Sequence, residues 1–404
     1  MKMKIPLEEA QSLLETYCGS AGTERVSLLE AHGRVLAQDI TAPINQPPFD
    51  RSPLDGYALR AEDSVGASKE RPVRLKVIEE VFAGGFPQKE VKERTATRIM
   101  TGAPIPKGAN CILRQEETLE ENGDVLIYSQ LKAWDNYCYA GEDMEKGDLV
   151  LKKETLLNFA GIGILASLGI KEVLVYKRPK VAVISTGDEL SNLGEELTPG
   201  KIYNSNLYTI GMRLKELGIE HILLDSAPDE IEKLSLRIKD ALSKADFLIT
   251  TGGVSVGKKD IVKDAIKILG ASILFWKVNL QPGTPVLCSQ LDGKLIFSLS
   301  GNPAAAMVNF EMLVRTALAK YAHRKDLRLI KTEAVLKSPF PKASKNRRFV
   351  RGKLILDAEE KLVELPEKHS SGVLSSLLDC NCVVDVPAGT PPLEVGQRVK
   401  IFIL

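Results

Sequence analysis

A glycine-rich turn between a buried-strand pattern and an amphipathic helix pattern constrains this chain more than any other segment. Asp246-Phe247-Leu248-Ile249 reads as the strand. Thr250-Thr251-Gly252-Gly253-Val254-Ser255-Val256-Gly257-Lys258-Lys259-Asp260 is the turn, and Val262, Ile266 and Leu269 form the stripe of a following helix. At such a junction backbone N–H groups surround a phosphate, aided by the positive end of the helix dipole. Gly252, Gly257 and Lys258 fit G-x-x-x-x-G-K. Position 259 is lysine, where a P-loop carries the hydroxyl that ligates Mg²⁺. The expectation is a phosphate-bearing ligand without the usual ATPase metal site. Asp260 has two readings: a carboxylate ligand for a divalent cation, or the N-cap of the next helix.

The pattern around the turn repeats. Between residues 178 and 322, strand patterns at Val181–Ser185, Ile219–Leu224, Phe247–Thr250 and Leu295–Leu299 alternate with helix patterns. Leu207, Ile210, Leu214 and Leu217 share one helical stripe after Asn204. Ile231, Leu234, Ile238 and Leu242 share another, after a capping-box-like Asp229-x-x-Glu232. Asn302-Pro303 reads as an N-cap with proline at the first helical position. Such alternation predicts an α/β domain with a doubly wound parallel sheet and ligands at the carboxyl ends of its strands.

The flanks read differently. A helix is expected at 6–17, a short one near Leu28 to His32, and a strand at Arg34–Ile40. Residues 70–135 read as a β-rich module with turns at Phe82-Ala83-Gly84-Gly85 and Glu121-Asn122-Gly123-Asp124. Residues 327–404 read as short strands with turns, a small β-barrel or sandwich.

Four polar clusters follow predicted strands: Ser185-Thr186-Gly187-Asp188-Glu189-Leu190, Asp225, the glycine-rich turn, and Ser298-Leu299-Ser300-Gly301-Asn302-Pro303. The topology gathers them at one sheet edge. Singly, Asp188 reads as a helix N-cap and Gly301-Asn302-Pro303 as a helix start. Together, Glu189, Asp225 and Asp260 read as ligands of one Mg²⁺ bound to phosphate oxygens, since uncompensated carboxylates would repel one another there. Lys277, after the strand pattern Ser272–Phe275 and Trp276, reads either as a phosphate contact or as a solvated lysine.

Composition excludes several classes. Lys plus Arg (54) balances Asp plus Glu (53) over 404 residues, which argues against nucleic acid or an anionic membrane as the main partner. The apolar stretch Leu156 to Ile170 is too short to span a bilayer. Cys18, Cys111, Cys138, Cys288, Cys380 and Cys382 are scattered without a C-x-x-C pair, and the N-terminus lacks an apolar leader. A reducing, cytoplasmic setting is expected.

Taken in order along the chain, the motifs resemble the molybdopterin molybdenumtransferase family, to which the E domain of gephyrin is related. The residues that carry the resemblance are Ser52–Arg60 (SPLDGYALR), Arg98–Pro106 (RIMTGAPIP), Gly141-Glu142-Asp143, Ser185–Leu190, Thr251–Gly257, Phe275-Trp276-Lys277, Gly301-Asn302-Pro303 and Ser370–Leu377. The resemblance implies a multidomain chain. Domain I would be 1–45 with 136–177, the β-rich domain II 46–135, the α/β molybdopterin-binding domain III 178–326, and the barrel domain IV 327–404. It implies a homodimer whose cleft is shared between subunits, an upstream molybdopterin adenylyltransferase as partner, and insertion of molybdate into the dithiolene of adenylylated molybdopterin. AMP is released in a Mg²⁺-dependent step.

By motif match, Asp55, Thr101, Asp143, Glu189, Asp225, Asp260 and Lys277 would be catalytic. Thr186, Gly187, Gly252, Gly253, Ser255, Gly257, Gly301, Asn302, Ser371 and either Arg347 or Arg348 would bind the substrate. The sequence also departs from the family pattern. Gln281 and Thr284 stand where lysines are usual, Ser300 where proline is usual, and Ala305 where serine is frequent. Compensation by Arg347, Arg348, Lys258 or Lys259, a preference for tungstate, and a paralogue that inserts metal poorly are the three readings. Outside metal insertion, a non-catalytic scaffold and a pterin-adenylylating enzyme remain as alternatives.

Overall fold

Strands whose two faces are both covered read as near-continuous apolar runs, as at 181–184, 247–249 and 295–297. In a computed structural model, residues 2–227, 230–254, 261–357 and 360–404 are described, Asp225 by its backbone alone. The chain forms two compact units. One comprises residues 1–25, 33–35 and 174–404, the other 26–32 and 36–173.

In the first unit, β1 (Lys2–Ile5) and α1 (Leu7–Tyr17) are followed by the alternating run β2 (Lys180–Thr186), α2 (Ser205–Glu216), β3 (Glu220–Ala227), α3 (Ile231–Lys244), β4 (Phe247–Thr251) and α4 (Ile261–Ile268). Then come β5 (Ser272–Val278), β6 (Leu287–Leu291), β7 (Lys294–Leu299), α5 (Pro303–Asn309), a π turn at Phe310–Val314 and α6 (Arg315–Tyr321). Among the described residues these give a seven-stranded sheet in the order β1-β5-β6-β7-β4-β2-β3. The β7-β4-β2-β3 part is parallel, as the alternation predicts. β6 is inserted antiparallel to both neighbours. The two-residue turn Asp292-Gly293, with φ of 49° and 79°, closes the β6–β7 hairpin. That Asp-Gly pair is the sequence signal for it. β1 adds a parallel strand beside β5, a pairing that the grouping of residues 1–45 with 136–177 did not include.

Side chains alternate between two cores. Val181, Val183, Phe247, Ile249 and Phe297 face α1, α2 and the α5–α6 helices. Ala182, Ile184, Leu248 and Ile296 face α3 and α4. The barrel expected after residue 327 is present and closed among the described residues. It consists of β8 (Ile330–Leu336), β9 (Arg348–Leu356), β10 (Lys361–Glu364), β11 (Cys382–Val386) and β12 (Arg398–Ile403), in the order β8-β10-β9-β11-β12.

In the second unit the expected β-rich module is a sheet with six strands among the described residues. Its core holds Tyr57, Leu59, Leu75, Cys111 and Val125. The hairpin at Glu121–Asp124 turns through Asn122 and Gly123, both at positive φ. The strand expected at 34–40 is not continuous, and only Ile40–Thr41 is strand. Leu36 exchanges hydrogen bonds with Thr155 and Glu154 (2.9 and 2.8 Å). The Asp39 carboxylate accepts from Lys153 N at 2.6 Å, a side-chain bond that competes with a ladder.

One buried ion cluster braces the helices. The Glu311 side chain, 3% exposed, takes Arg213 Nε on one oxygen (2.6 Å) and Arg315 Nη1 on the other (2.9 Å). Removing one partner of a buried pair leaves an uncompensated charge, at a cost of roughly 3–5 kcal/mol. Glu311→Ala is expected to lower the first unit's unfolding free energy by that order and hence its urea midpoint, read from Trp276 fluorescence in a Trp134→Phe background. An unchanged midpoint would show that the cluster is not stabilising.

Candidate functional site

The rim at the carboxyl ends of β2, β4 and β7 is held together by short polar contacts. Ser185 Oγ lies 2.9 Å from Thr251 Oγ1 and donates to Asn204 Oδ1 at 2.8 Å. The same Asn204 oxygen accepts from Leu207 N and caps α2. Three segment ends are thereby locked by side chains that are nearly fully buried. Gly252 N donates to Leu299 O at 3.2 Å, drawing the glycine turn against the end of β7. Gly252 has φ 91°, and a Cβ there would overlap the Thr186 carbonyl oxygen. Gly253 (φ 66°) is as tight, since a Cβ there would meet Val262 at 2.7 Å and the Thr186 hydroxyl at 3.1 Å. Only glycine permits this approach.

Beside this rim lies a cleft of about 840 Å³, large enough for a nucleotide-sized ligand. Of the residues expected from sequence, Glu189, Gly252, Gly253, Gly301, Asn302, Arg348 and Ser371 line it, together with Gln281, Thr284 and Ala305. Thr186 and Gly187 stand directly behind it. The Thr186 hydroxyl lies within reach of both glycines, and the Glu189 carboxylate folds into the space that a Cβ on Gly187 would fill. Ser185–Leu190 opens no helix. The segment leads into a two-residue strand, Leu190–Ser191, paired with Ile202–Tyr203, so Asp188 is not an N-cap. Asn302 is the N-cap residue of α5 but makes no side-chain capping bond. Ser371 reaches the cleft because its carbonyl accepts from Ala304 N at 3.0 Å, docking its loop on the start of α5.

The structure separates the two arginines. Arg347 forms a bidentate pair with Asp385 (2.7 Å to each oxygen) and a bond to Glu8 at 2.5 Å, so it is committed elsewhere. Arg348 faces the cleft, and its Nε is buried without a protein partner. Lys277 ends on the far side of its strand. Its Nζ stacks 4.6 Å from the Trp276 ring centroid, beside Lys263 Nζ at 3.9 Å, and Lys277 is not among the cleft residues. Asp225 is placed by its backbone at the end of β3, where Thr186 pairs with Ala227. Its side chain, and Ser255, Gly257, Lys258, Lys259 and Asp260, lie outside the described residues, as does Asp229 of the expected capping box.

Sequence reasoning missed three cleft residues supplied by the barrel: Lys342, His369 and Ser370. His369 Nδ1 is buried without a partner. Burial, then the charges of Arg351 and Lys342, pull its pKa down, so the imidazole is neutral at pH 7. The signal was the adjacency of His369 to the Ser370–Leu377 motif. Lys342 carried no signal, because a loop between two barrel strands brings it in. Under the Gln281–Pro285 loop, Gly283 (φ 105°) leaves room for the fully buried Asn309, whose amide would meet a Cβ at 2.5 Å.

The second unit carries its own polar pair. Asp55 Oδ1 accepts from Thr101 N (2.7 Å) and from Thr101 Oγ1 (2.8 Å). Asp143 lies on an exposed turn whose backbone N donates to Gln46 O at 3.0 Å. The backbone and side-chain bonds from Thr101 favour the ionised form and hold the Asp55 carboxyl below its ordinary 3.8. Thr101→Val is expected to raise the Asp55 titration midpoint toward that value in an NMR pH series, and no movement would contradict the hydroxyl's role.

Comparison with known proteins agrees with this architecture. The chain matches the MoeA N-terminal region (domains I and II) over residues 5–169, the probable molybdopterin binding domain over 182–320 and the MoeA C-terminal region (domain IV) over 333–404. It is 39% identical over 407 residues to a molybdopterin molybdenumtransferase of Bacillus subtilis, covering 99% of this chain and 94% of the relative. It is 36% identical to one from Staphylococcus aureus, covering 99% and 95%. A crystal structure of the molybdopterin biosynthesis MoeA protein from Pyrococcus horikoshii OT3 superposes with a TM-score of 0.84 at 32% identity, covering 99% of this chain and all (100%) of the other. With end-to-end identity above 30%, three matched regions in series and the same fold, the chain belongs to the molybdopterin molybdenumtransferase family.

Proposed function

We propose that this chain inserts molybdate into the dithiolene of adenylylated molybdopterin, with release of AMP, as a homodimer. The observation that carries the reading is the two-sided cleft. One wall is the glycine rim of an α/β sheet, suited to phosphate oxygens through backbone N–H groups. The other holds Lys342, Arg348 and Ser371 from the barrel, suited to a tetrahedral dianion. Arg348 supports this most directly, since a buried guanidinium nitrogen without a partner is costly unless an acceptor arrives.

No cysteine lines the cleft among the described residues. Burial pushes the Cys18, Cys111 and Cys382 thiols up to about 12, so they stay protonated at neutral pH. That suits a reaction in which the substrate supplies both sulfurs. Mg²⁺ would be held by Glu189 with Asp225 and Asp260. Glu189 is a hard oxygen donor folded against the glycine rim at the cleft wall, which fits that role. When bound, the ion would neutralise charge on the phosphate oxygens. The protein's own contribution is to bind and orient: the rim glycines hold the phosphate end, and Arg348, Lys342 and Ser371 hold the oxoanion. His369, being neutral, offers one acceptor and one donor nitrogen without adding charge.

The homodimer reading is supported by the helix Phe159–Ser167 of the second unit. It has no charged residue, and its Phe159 is 83% exposed; Leu29, in the same unit, is 93% exposed. Phe159→Glu is expected to convert the dimer to a monomer by light scattering, and an intact dimer would place the interface elsewhere.

Gln281 and Thr284 favour a second reading, in which oxoanion binding is weakened or shifted to tungstate. Thr284 Oγ1 is spent on Leu280 O at 2.6 Å, so it replaces no cationic contact. Incubation with adenylylated molybdopterin, Mg²⁺ and either oxoanion separates the readings. Metal incorporation coupled to AMP release supports insertion. AMP release without incorporation supports a defective paralogue, and neither would sink both. Gln281→Lys with Thr284→Lys is expected to lower the half-maximal molybdate concentration about tenfold, on the order of 1.4 kcal/mol. No shift would mean that these side chains do not meet the oxoanion.

A further inference from the structure

A second pocket, of about 320 Å³, opens between α2, α5 and the barrel, away from the glycine rim. The feature that sets it apart is Arg351. This residue is only 2% exposed. Its Nε donates to Ser376 Oγ at 2.7 Å and its Nη2 to Ser370 O at 3.1 Å, both neutral oxygens. Among the described residues no carboxylate pairs with it. A buried cation without a counter-charge is strongly disfavoured, and burial accordingly lowers its pKa. The nearest buried carboxylate is already used. Glu311, which also lines the pocket, spends both oxygens on Arg213 and Arg315. Arg213 adds an Nη2 that is buried without a partner.

The charges set the ligand's valence. Of the charged residues lining the pocket, Arg213 is ion-paired with both Glu216 and Glu311, and Arg351 alone has no carboxylate partner among the described residues, so one positive charge is left unpaired. Two glutamates so close disfavour a dianion such as phosphate. Beside Thr209 and Cys380, the remaining walls are apolar, with Met212, Met307, Val308 and Leu377 lining the pocket and Leu378 88% exposed. The volume is at the small end for a ligand site and too small for a nucleotide. We propose that this pocket binds a short aliphatic monocarboxylate, its carboxylate on Arg351 and Arg213 and its chain against the methionines and leucines.

The competing explanation is that Arg351 only clamps the Ser370 loop. Hexanoate and its neutral isostere hexanamide distinguish the two, read by methyl NMR of methionine-labelled protein at Met212 and Met307. Hexanoate is expected to give saturable shifts at both methyls, with hexanamide at least about tenfold weaker. Arg351→Met should abolish the hexanoate response. Leu378→Asp changes an exposed rim residue and keeps the fold, and should weaken hexanoate at least about tenfold by repulsion. No saturable shift, equal binding of hexanamide, or hexanoate binding unchanged in Leu378→Asp would overturn the proposal. If Arg351→Met fails to fold, the amide comparison and the Leu378→Asp result decide.

Discussion

The close approach of three backbone segments at the sheet rim is the constraint on which the rest depends. Gly252 lies against the Thr186 carbonyl at a separation no side chain would allow, with Gly301 packed beside it. The Ser185–Thr251–Asn204 hydrogen bonds fix that approach from beneath. Gly252 N is spent on Leu299 O, so an anion would meet the turn at Gly253, where no side chain screens the backbone. The barrel then closes the opposite wall through Phe349 N, which donates to Gln281 O at 2.8 Å, and through Ala304 N, which donates to Ser371 O.

The division of labour follows from this geometry. Strands buried on both faces make a stiff floor, so the rim loops are positioned by the sheet and need little order of their own. The barrel contributes two cations, Lys342 and Arg348, to the cleft that Gln281 and Thr284 also line. Arg347, by contrast, is spent on joining β9 to Asp385 and to Glu8 of α1.

Much of the α/β region was legible because its signals are periodic. The apolar stripe of α2 and the strand at 247–251 fall where the sequence places them, and Glu189, Gly252, Gly253, Gly301 and Asn302 line one cleft. What was not legible depended on partners distant in sequence. The antiparallel β6 breaks the βαβ rhythm, although Asp292-Gly293 marks its turn. The pattern at 34–40 failed as a continuous strand where Asp39 accepts from Lys153 N, a partner far along the chain. The choice between Arg347 and Arg348 could not be made from spacing, since it turns on the distant partners of Arg347, Asp385 and Glu8. Lys342 and His369 enter the cleft only because the barrel closes. Lys277 takes a left-handed backbone, φ 66°, and lies over Trp276, an orientation no local pattern announces.

The account's central claim is that one cleft receives both the phosphate end of the pterin nucleotide and the oxoanion. Anomalous diffraction at the molybdenum edge, from crystals soaked with molybdate and AMP, tests it most directly. The account predicts a molybdenum peak between Arg348, Lys342 and Ser371, with the AMP phosphate against Gly252 and Gly253. A molybdenum peak outside that cleft, or phosphate density away from the glycine rim, would contradict it.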